Sequence, residues 1–200
     1  MKFLYCHGFA SGPGSRKAGV FREYLADAGL ELLVPALDGG DFAHLTISGQ
    51  LEIMERTLAR DSACLIGSSM GGYLAALYAA AHPEVEKLVL MAPAFDFAPR
   101  WKARLTRGAP IEVFHYGEKR PTTVHYELIE DALKYTPIPH FSQPALIFHG
   151  LNDDVVPIGI SRAFADQHAN VKLTEMESDH ELLNVLDQIA SEAVRFLRPA

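Results

Sequence analysis

Three short stretches hold residue types that could do chemistry together: IGSSMGGYL at 66–74, HGLNDDVVP at 149–157 and ESDHELL at 177–183. In the first, the Gly-x-Ser-x-Gly spacing puts Ser69, not Ser68, midway between Gly67 and Gly71. A serine hydroxyl is a weak nucleophile unless a base takes its proton, and a histidine base needs an acceptor to fix its tautomer. Asp153 and His180 supply those two types in the chain order Ser, Asp, His. The spelling alone decides little, because Gly-x-Ser-x-Gly arises by chance in roughly one chain of this length in fifteen. The elements around it must decide.

Apolar runs of strand length recur as KFLYC (2–6), ELLVPAL (31–37), SACLIG (62–67), KLVLMA (87–92), PALIFH (144–149) and VKLTEM (171–176). Helical patterns separate most of them. Ser15 can cap a helix whose Phe21, Tyr24, Leu25 and Ala28 share a face, with Gly29 ending it. Ile47, Leu51, Met54 and Leu58 form a second stripe, and Leu182, Leu186, Ile189, Ala193 and Phe196 a third. The segment 70–81 is apolar on every side and stops before Pro83, which predicts a buried helix. Continuous apolar strands alternating with helices predict an α/β fold, a mostly parallel sheet of about six strands covered on both faces. Ligands of such sheets sit outside the carboxyl ends of the strands, where Ser69, Asp153 and His180 all fall. Ser69 then lies on the turn from strand to buried helix, with the free N–H of Met70 beside it.

Residues 95–143 break the alternation. They contain Phe95, Phe97, Trp101, Phe114, Tyr116, Tyr126 and Tyr135, a density of aromatics that needs something to pack on. This predicts a cap inserted over the strand ends, with a short helix near 123–134, in a chain that is otherwise a single domain. Phe95, Phe97, Trp101, Phe114 and Tyr116 are candidates for the substrate wall or for the cap's own small core.

The 200 residues carry a formal net charge of −7, which disfavours nucleic acid or an acidic membrane surface as partner and leaves small molecules. Cys6 and Cys64, the only two cysteines, each sit in an apolar run and read as buried hydrophobes, which fits a reducing cytoplasm. The apolar start breaks at His7 and Gly8, too early for a signal-peptide core, and no segment approaches the roughly 18 apolar residues of a membrane span. Histidines and carboxylates are scattered along the chain without H-E-x-x-H or paired C-x-x-C spacing, so no metal site emerges from the sequence. The SGPG turn before Ser15, Arg16 and Lys17 reads as a turn with a capping serine.

With these residues in place, the chain resembles the α/β-hydrolase superfamily. GSSMG looks like its nucleophile elbow, Gly150 to Pro157 like its G-x-x-D-x-x-V-P acid loop, and Asp179-His180 sits where its last-strand histidine lies. HGFASGPGSRKA, residues 7–18, looks like the signature of the small YqiA-like bacterial esterases. APAFDF and LIEDALKY are similar to the branch holding palmitoyl thioesterases and acyl-glucuronide esterases. The chain starts at the strand before the oxyanion loop and so lacks the superfamily's usual first two strands.

The resemblance implies a serine esterase or thioesterase with Ser69, His180 and Asp153 as triad. It also implies an oxyanion hole from the backbone N–H groups of Phe9 and Met70, and no cofactor. Asp96, just after the fourth strand, and Asp154 are rival acids. His7 and His149 read as structural, while His44, His82, His115, His125, His140 and His168 read as surface or cap residues. Acyl transfer, amide or peptide hydrolysis, and a catalytically silent binding protein on the same scaffold remain the alternative functions.

Overall fold

The computed structural model describes residues 1–103 and 106–198. Its strands are β1 (Lys2–Cys6), β2 (Leu32–Leu33), β3 (Ala63–Ser68), β4 (Val85–Met91), β5 (Ile111–His115), β6 (Arg120–Val124), β7 (Ala145–Gly150) and β8 (Val171–Met176). Six of them form one sheet in the order β2-β1-β3-β4-β7-β8, with every neighbouring pair parallel. β5 and β6 form a separate antiparallel hairpin.

The apolar runs explain why the sheet is buried. β3 and β7 are buried at every position, and alternate side chains serve opposite faces. On one face Phe3, Tyr5, Cys64, Ile66 and Val89 pack with Phe21 and Leu25 of α1 (Arg16–Asp27) and Ile189 and Ala193 of α7 (Leu186–Leu197). On the other, Leu4, Leu65, Leu88 and Ile147 pack with α2 (Ile47–Leu58), α3 (Met70–Ala81) and Phe164 of α6 (Ile158–Gln167). Cys6 and Cys64 are free and fully buried on opposite faces, and burial pushes the Cys6 thiol up to about 12 and the Cys64 thiol up to about 11. α3, the helix behind Ser69, is buried from Met70 to Ala79, as its uniform apolarity predicts.

Side-chain caps hold the helices that flank the site, at Ser15 as expected and also at Thr46. Ser15 Oγ accepts the Ala18 N–H at 3.3 Å, and the chain leaves α1 through Gly29 at φ +74°. Thr46 Oγ1 accepts the Gly49 N–H at 3.0 Å to start α2.

Three expectations are corrected. In ELLVPAL only Leu32 and Leu33 pair with β1, since Pro35 has no N–H to continue the ladder. The last helix begins at Leu186 and not Leu182, because Leu182 is left-handed (φ 57°) and a 3₁₀ turn over Leu183–Val185 intervenes. Leu182 nevertheless stays fully buried, which is why it reads as part of the stripe.

The third correction concerns the insertion. It holds α4 (Phe97–Lys102), the β5–β6 hairpin and α5 (Glu127–Ala132), so residues 123–124 are strand and the helix is shorter than expected. The burial of β5 alternates, with exposed Glu112 and Phe114 between half-buried Ile111 and Val113 and buried His115, which is a strand pattern on an open hairpin. The hairpin is tied down by its backbone. Tyr116 N–H donates to Ala10 O at 2.7 Å and His125 N–H to Ala43 O at 2.8 Å. α5 is held through Asp131, which accepts from Ser48 N–H at 2.7 Å and Ser48 Oγ at 2.8 Å. No helix among the described residues is long and apolar enough to cross a membrane.

Candidate active site

Ser69 leaves β3 with φ 54° and ψ −117°, a conformation that side-chain-bearing residues adopt only when their surroundings force it. The surroundings do. Ser69 N–H donates to Met91 O, and Ser69 O accepts from Gly72 N–H and Ala94 N–H, each at 2.9 Å. The flanking glycines are a steric requirement. A Cβ at Gly67 would lie 2.4 Å from Gly71 O, and one at Gly71 would lie 2.0 Å from Cys6 O. The strand can therefore fold back onto the helix, and the helix onto β1, only with hydrogen at both positions.

The turns after β7 and β8 bring the other two residues to this bend. Ser69 Oγ lies 3.0 Å from His180 Nε2, and His180 Nδ1 lies 2.8 Å from Asp153 Oδ2. A carboxylate only accepts, so Nδ1 carries the proton and Nε2 offers its lone pair to the hydroxyl. Asp153 is held on every side: Oδ1 accepts from Val155 N–H at 2.9 Å and Val156 N–H at 2.8 Å, and Oδ2 lies 3.1 Å from His149 Nε2. Burial alone would raise its carboxyl pKa. The bonds from His149, His180 and Val156 outweigh that and hold it well below the usual carboxylate range.

His149 is fully buried and has the structural place expected of it. Its Nδ1 sits 2.8 Å from Ser161 Oγ, while Nε2 also reaches Val156 O at 2.9 Å. Nε2 faces two acceptors and so carries the proton, and Ser161 donates to Nδ1. The ring thereby fastens the acid loop to α6.

His7, also expected to be structural, braces the loop after β1. Its Nδ1 lies 3.1 Å from Gly8 O and its Nε2 accepts the Leu37 N–H at 3.2 Å, and burial lowers its pKa. The loop then passes against the elbow, where a Cβ at Gly8 would come 3.4 Å from Ser68 O and 3.6 Å from Ser69 Cβ. Neither Phe9 N–H nor Met70 N–H is donated to an acceptor among the described residues. Phe9 is fixed by its ring, which packs on Phe42 at 5.4 Å and edge-on to Trp101 at 5.2 Å.

Some candidates are not brought to this point. Asp96 is left-handed (φ 59°) at the start of α4, its side chain makes no cap bond, and the acceptor on His180 is Asp153. Asp154 is exposed. Phe95 is fully buried against Phe164 at 4.8 Å and belongs to the core, which corrects its candidacy as substrate wall. Phe97 is likewise buried in the core, against Tyr73 and Trp101, and Trp101 also meets Phe9, whereas Phe114 and Tyr116 pair on the open hairpin, 47% and 72% exposed. A cavity of about 580 Å³ along α2 and α3, lined by Leu51, Glu55, Leu77, Tyr78, His82 and Tyr135 among others, shares no residue with the constellation.

One residue near the site went unread in the sequence. Lys17, in the first turn of α1, is buried, with Nζ 3.2 Å from Ser68 Oγ and 3.2 Å from Glu181 Oε2. It touches the neighbours of both Ser69 and His180. In the sequence it appears only as a member of the HGFASGPGSRKA stretch and of the helix start capped by Ser15, with nothing to mark its burial or its partners.

The sheet order and the strand-turn-helix elbow define an α/β-hydrolase fold. Within that class the chain belongs to the family described as "Uncharacterised protein family (UPF0227)", whose model matches residues 2–197. Solved structures agree on the fold. Est1E from Butyrivibrio proteoclasticus with ferulic acid bound is 20% identical with a TM-score of 0.82, covering 98% of this chain and 87% of that one. Alpha/beta hydrolase domain-containing protein 10 from mouse is 20% identical with a TM-score of 0.80, covering 98% and 89%. A monoacylglycerol lipase from Paleococcus ferrophilus is 17% identical with a TM-score of 0.77, covering 98% and 93%. The family match and these folds accord with the resemblance read from the sequence.

Proposed function

We propose that the chain is a serine hydrolase that cleaves carboxylic esters or thioesters of small molecules through an acyl-enzyme, as one domain with a cap inserted at 95–143, in the cytoplasm. The observation that carries this reading is the unbroken line from Ser69 Oγ to His180 Nε2 (3.0 Å) and from His180 Nδ1 to Asp153 Oδ2 (2.8 Å), on a serine held in a strained bend. In the proposed reaction His180 takes the Ser69 proton as Oγ attacks the acyl carbon. The N–H groups of Phe9 and Met70 receive the oxyanion. His180 returns the proton to the leaving oxygen or sulfur, and water then repeats the steps to release the acid. Asp153 stays ionised throughout and steadies the imidazolium. Every step uses groups of the chain and water, so the mechanism calls on no cofactor.

Trp101, edge-on to Phe9, is proposed as part of the apolar wall for the acyl or aryl group. Ester chemistry is also supported by two structures of this fold, Est1E with ferulic acid bound and the monoacylglycerol lipase. The test is a panel of aryl esters and acyl thioesters, with competing alcohol and amine nucleophiles in parallel. Hydrolysis lost in Ser69→Ala is expected. Products that are mainly transfer adducts would replace hydrolase by acyltransferase, and no turnover of any member by a folded chain would favour a binding protein.

A further inference from the structure

Although His44, His125 and Glu127 are far apart or unpatterned in sequence, the fold gathers them on one surface. Each offers one ligand atom, and these atoms all lie within 4.8 Å of one another. His44 ends a 3₁₀ turn over Phe42–His44, and His125 and Glu127 lie where β6 passes into α5. The His125 N–H to Ala43 O bond of 2.8 Å locks the two segments in register, and the imidazoles lie 4.7 Å apart and 8° from parallel.

From this we infer that His44, His125 and Glu127 bind one divalent transition-metal ion of the Zn²⁺ type, which clasps the cap insertion to the body of the fold. Two imidazoles and a carboxylate make a borderline nitrogen and oxygen donor set that suits Zn²⁺ and leaves a fourth position to water. The donor atoms are free to bind. Neither the His125 ring nitrogens nor the Glu127 carboxylate hydrogen-bonds to another described residue. His44 is already oriented, with Nδ1 3.0 and 3.1 Å from the two Asp41 carboxylate oxygens. That bond places the proton on Nδ1 and the lone pair on Nε2, the arrangement by which a carboxylate behind a histidine orients it toward a metal.

Bonds of about 2.0–2.1 Å in a tetrahedron would bring the donors to roughly 3.3 Å from each other. All three side chains are exposed, so torsion changes alone can close the gap. The net charge of −7 favours cation uptake. The site has a structural consequence, because Phe42 of the same 3₁₀ turn packs on Phe9 at 5.4 Å and on His115 of the hairpin at 4.7 Å. A metal here would stiffen the junction of the cap with the loop after β1. The inference does not depend on the hydrolase reading.

The test is isothermal calorimetry of the untagged, chelator-stripped chain with Zn²⁺. One equivalent bound is expected, absent in His44→Ala/His125→Ala and weakened about ten- to a hundredfold in Asp41→Asn. It should be retained in His140→Ala/His168→Ala, which removes a second contacting histidine pair among the described residues, 2.8 Å apart. No binding by the native chain, or unchanged affinity in His44→Ala/His125→Ala, would overturn the inference.

Discussion

Gly150 lies so close to Asp179 that a Cβ on it would sit 2.3 Å from the Asp179 carbonyl oxygen and 2.5 Å from that of Ser178. The turn that carries Asp153 is thus nested in the turn that carries His180, and Asn152 N–H completes the nesting by donating to Ser178 O at 2.9 Å. The register between Asp153 and His180 is set by the absence of one methyl group. Gly150→Ala must push the two turns apart, and a displacement near 1 Å at reacting groups costs about a hundredfold in rate. Steady-state kinetics of Gly150→Ala, with circular dichroism to confirm folding, should show that loss in kcat. A folded variant with native kcat would mean that the turns have slack.

The acid can be assigned by paired substitutions. Asp153→Asn keeps the shape but removes the acceptor that fixes the His180 tautomer, and should lower kcat by about 10⁴-fold. Asp96→Asn should leave kcat within a few-fold, since the acceptor on His180 Nδ1 is Asp153. Kinetics on the two proteins side by side check this. Greater damage from Asp96→Asn would transfer the role of acid to Asp96.

His7 should make stability depend on pH. Burial lowers its pKa below the ordinary value of about 6.5, and its Nε2 accepts the Leu37 N–H only while unprotonated. The unfolded chain therefore binds the proton first as pH falls. Stability contributed by His7 is complete above about pH 6.5 and declines as pH drops through that value toward the lower folded pKa. Urea midpoints from about pH 8 to 5 should show the native chain losing its advantage over His7→Gln in the lower half of that range. An advantage that is constant with pH would contradict the assignment.

The parts of this site that follow from local rules were legible in the sequence. Ser69, Asp153 and His180 each follow an apolar strand, and in a parallel sheet all such positions share one edge, so they could be brought together without coordinates. Gly67 and Gly71 were legible from their spacing on either side of Ser69. What escaped depends on contacts between distant segments. Lys17 meets Ser68 and Glu181 only because α1 crosses behind the elbow. The cluster of His44, His125 and Glu127 exists only because the hairpin folds back on the 3₁₀ turn at 42–44. The hairpin itself was misread where its burial is half-hearted: Ile111 and Val113 alternate with Glu112 and Phe114, and an exposed two-stranded ribbon gives a weaker signal than a buried strand. The start of α7 was misjudged because a buried left-handed Leu182 falls in step with the helical stripe without being helical.

If Ser69 is an activated nucleophile, a fluorophosphonate must react with it, and intact-mass analysis reads that bond out. One covalent adduct is expected on the native chain, none on Ser69→Ala and one still on Ser68→Ala. An adduct that survives Ser69→Ala, or none on a folded native chain, would contradict an activated Ser69.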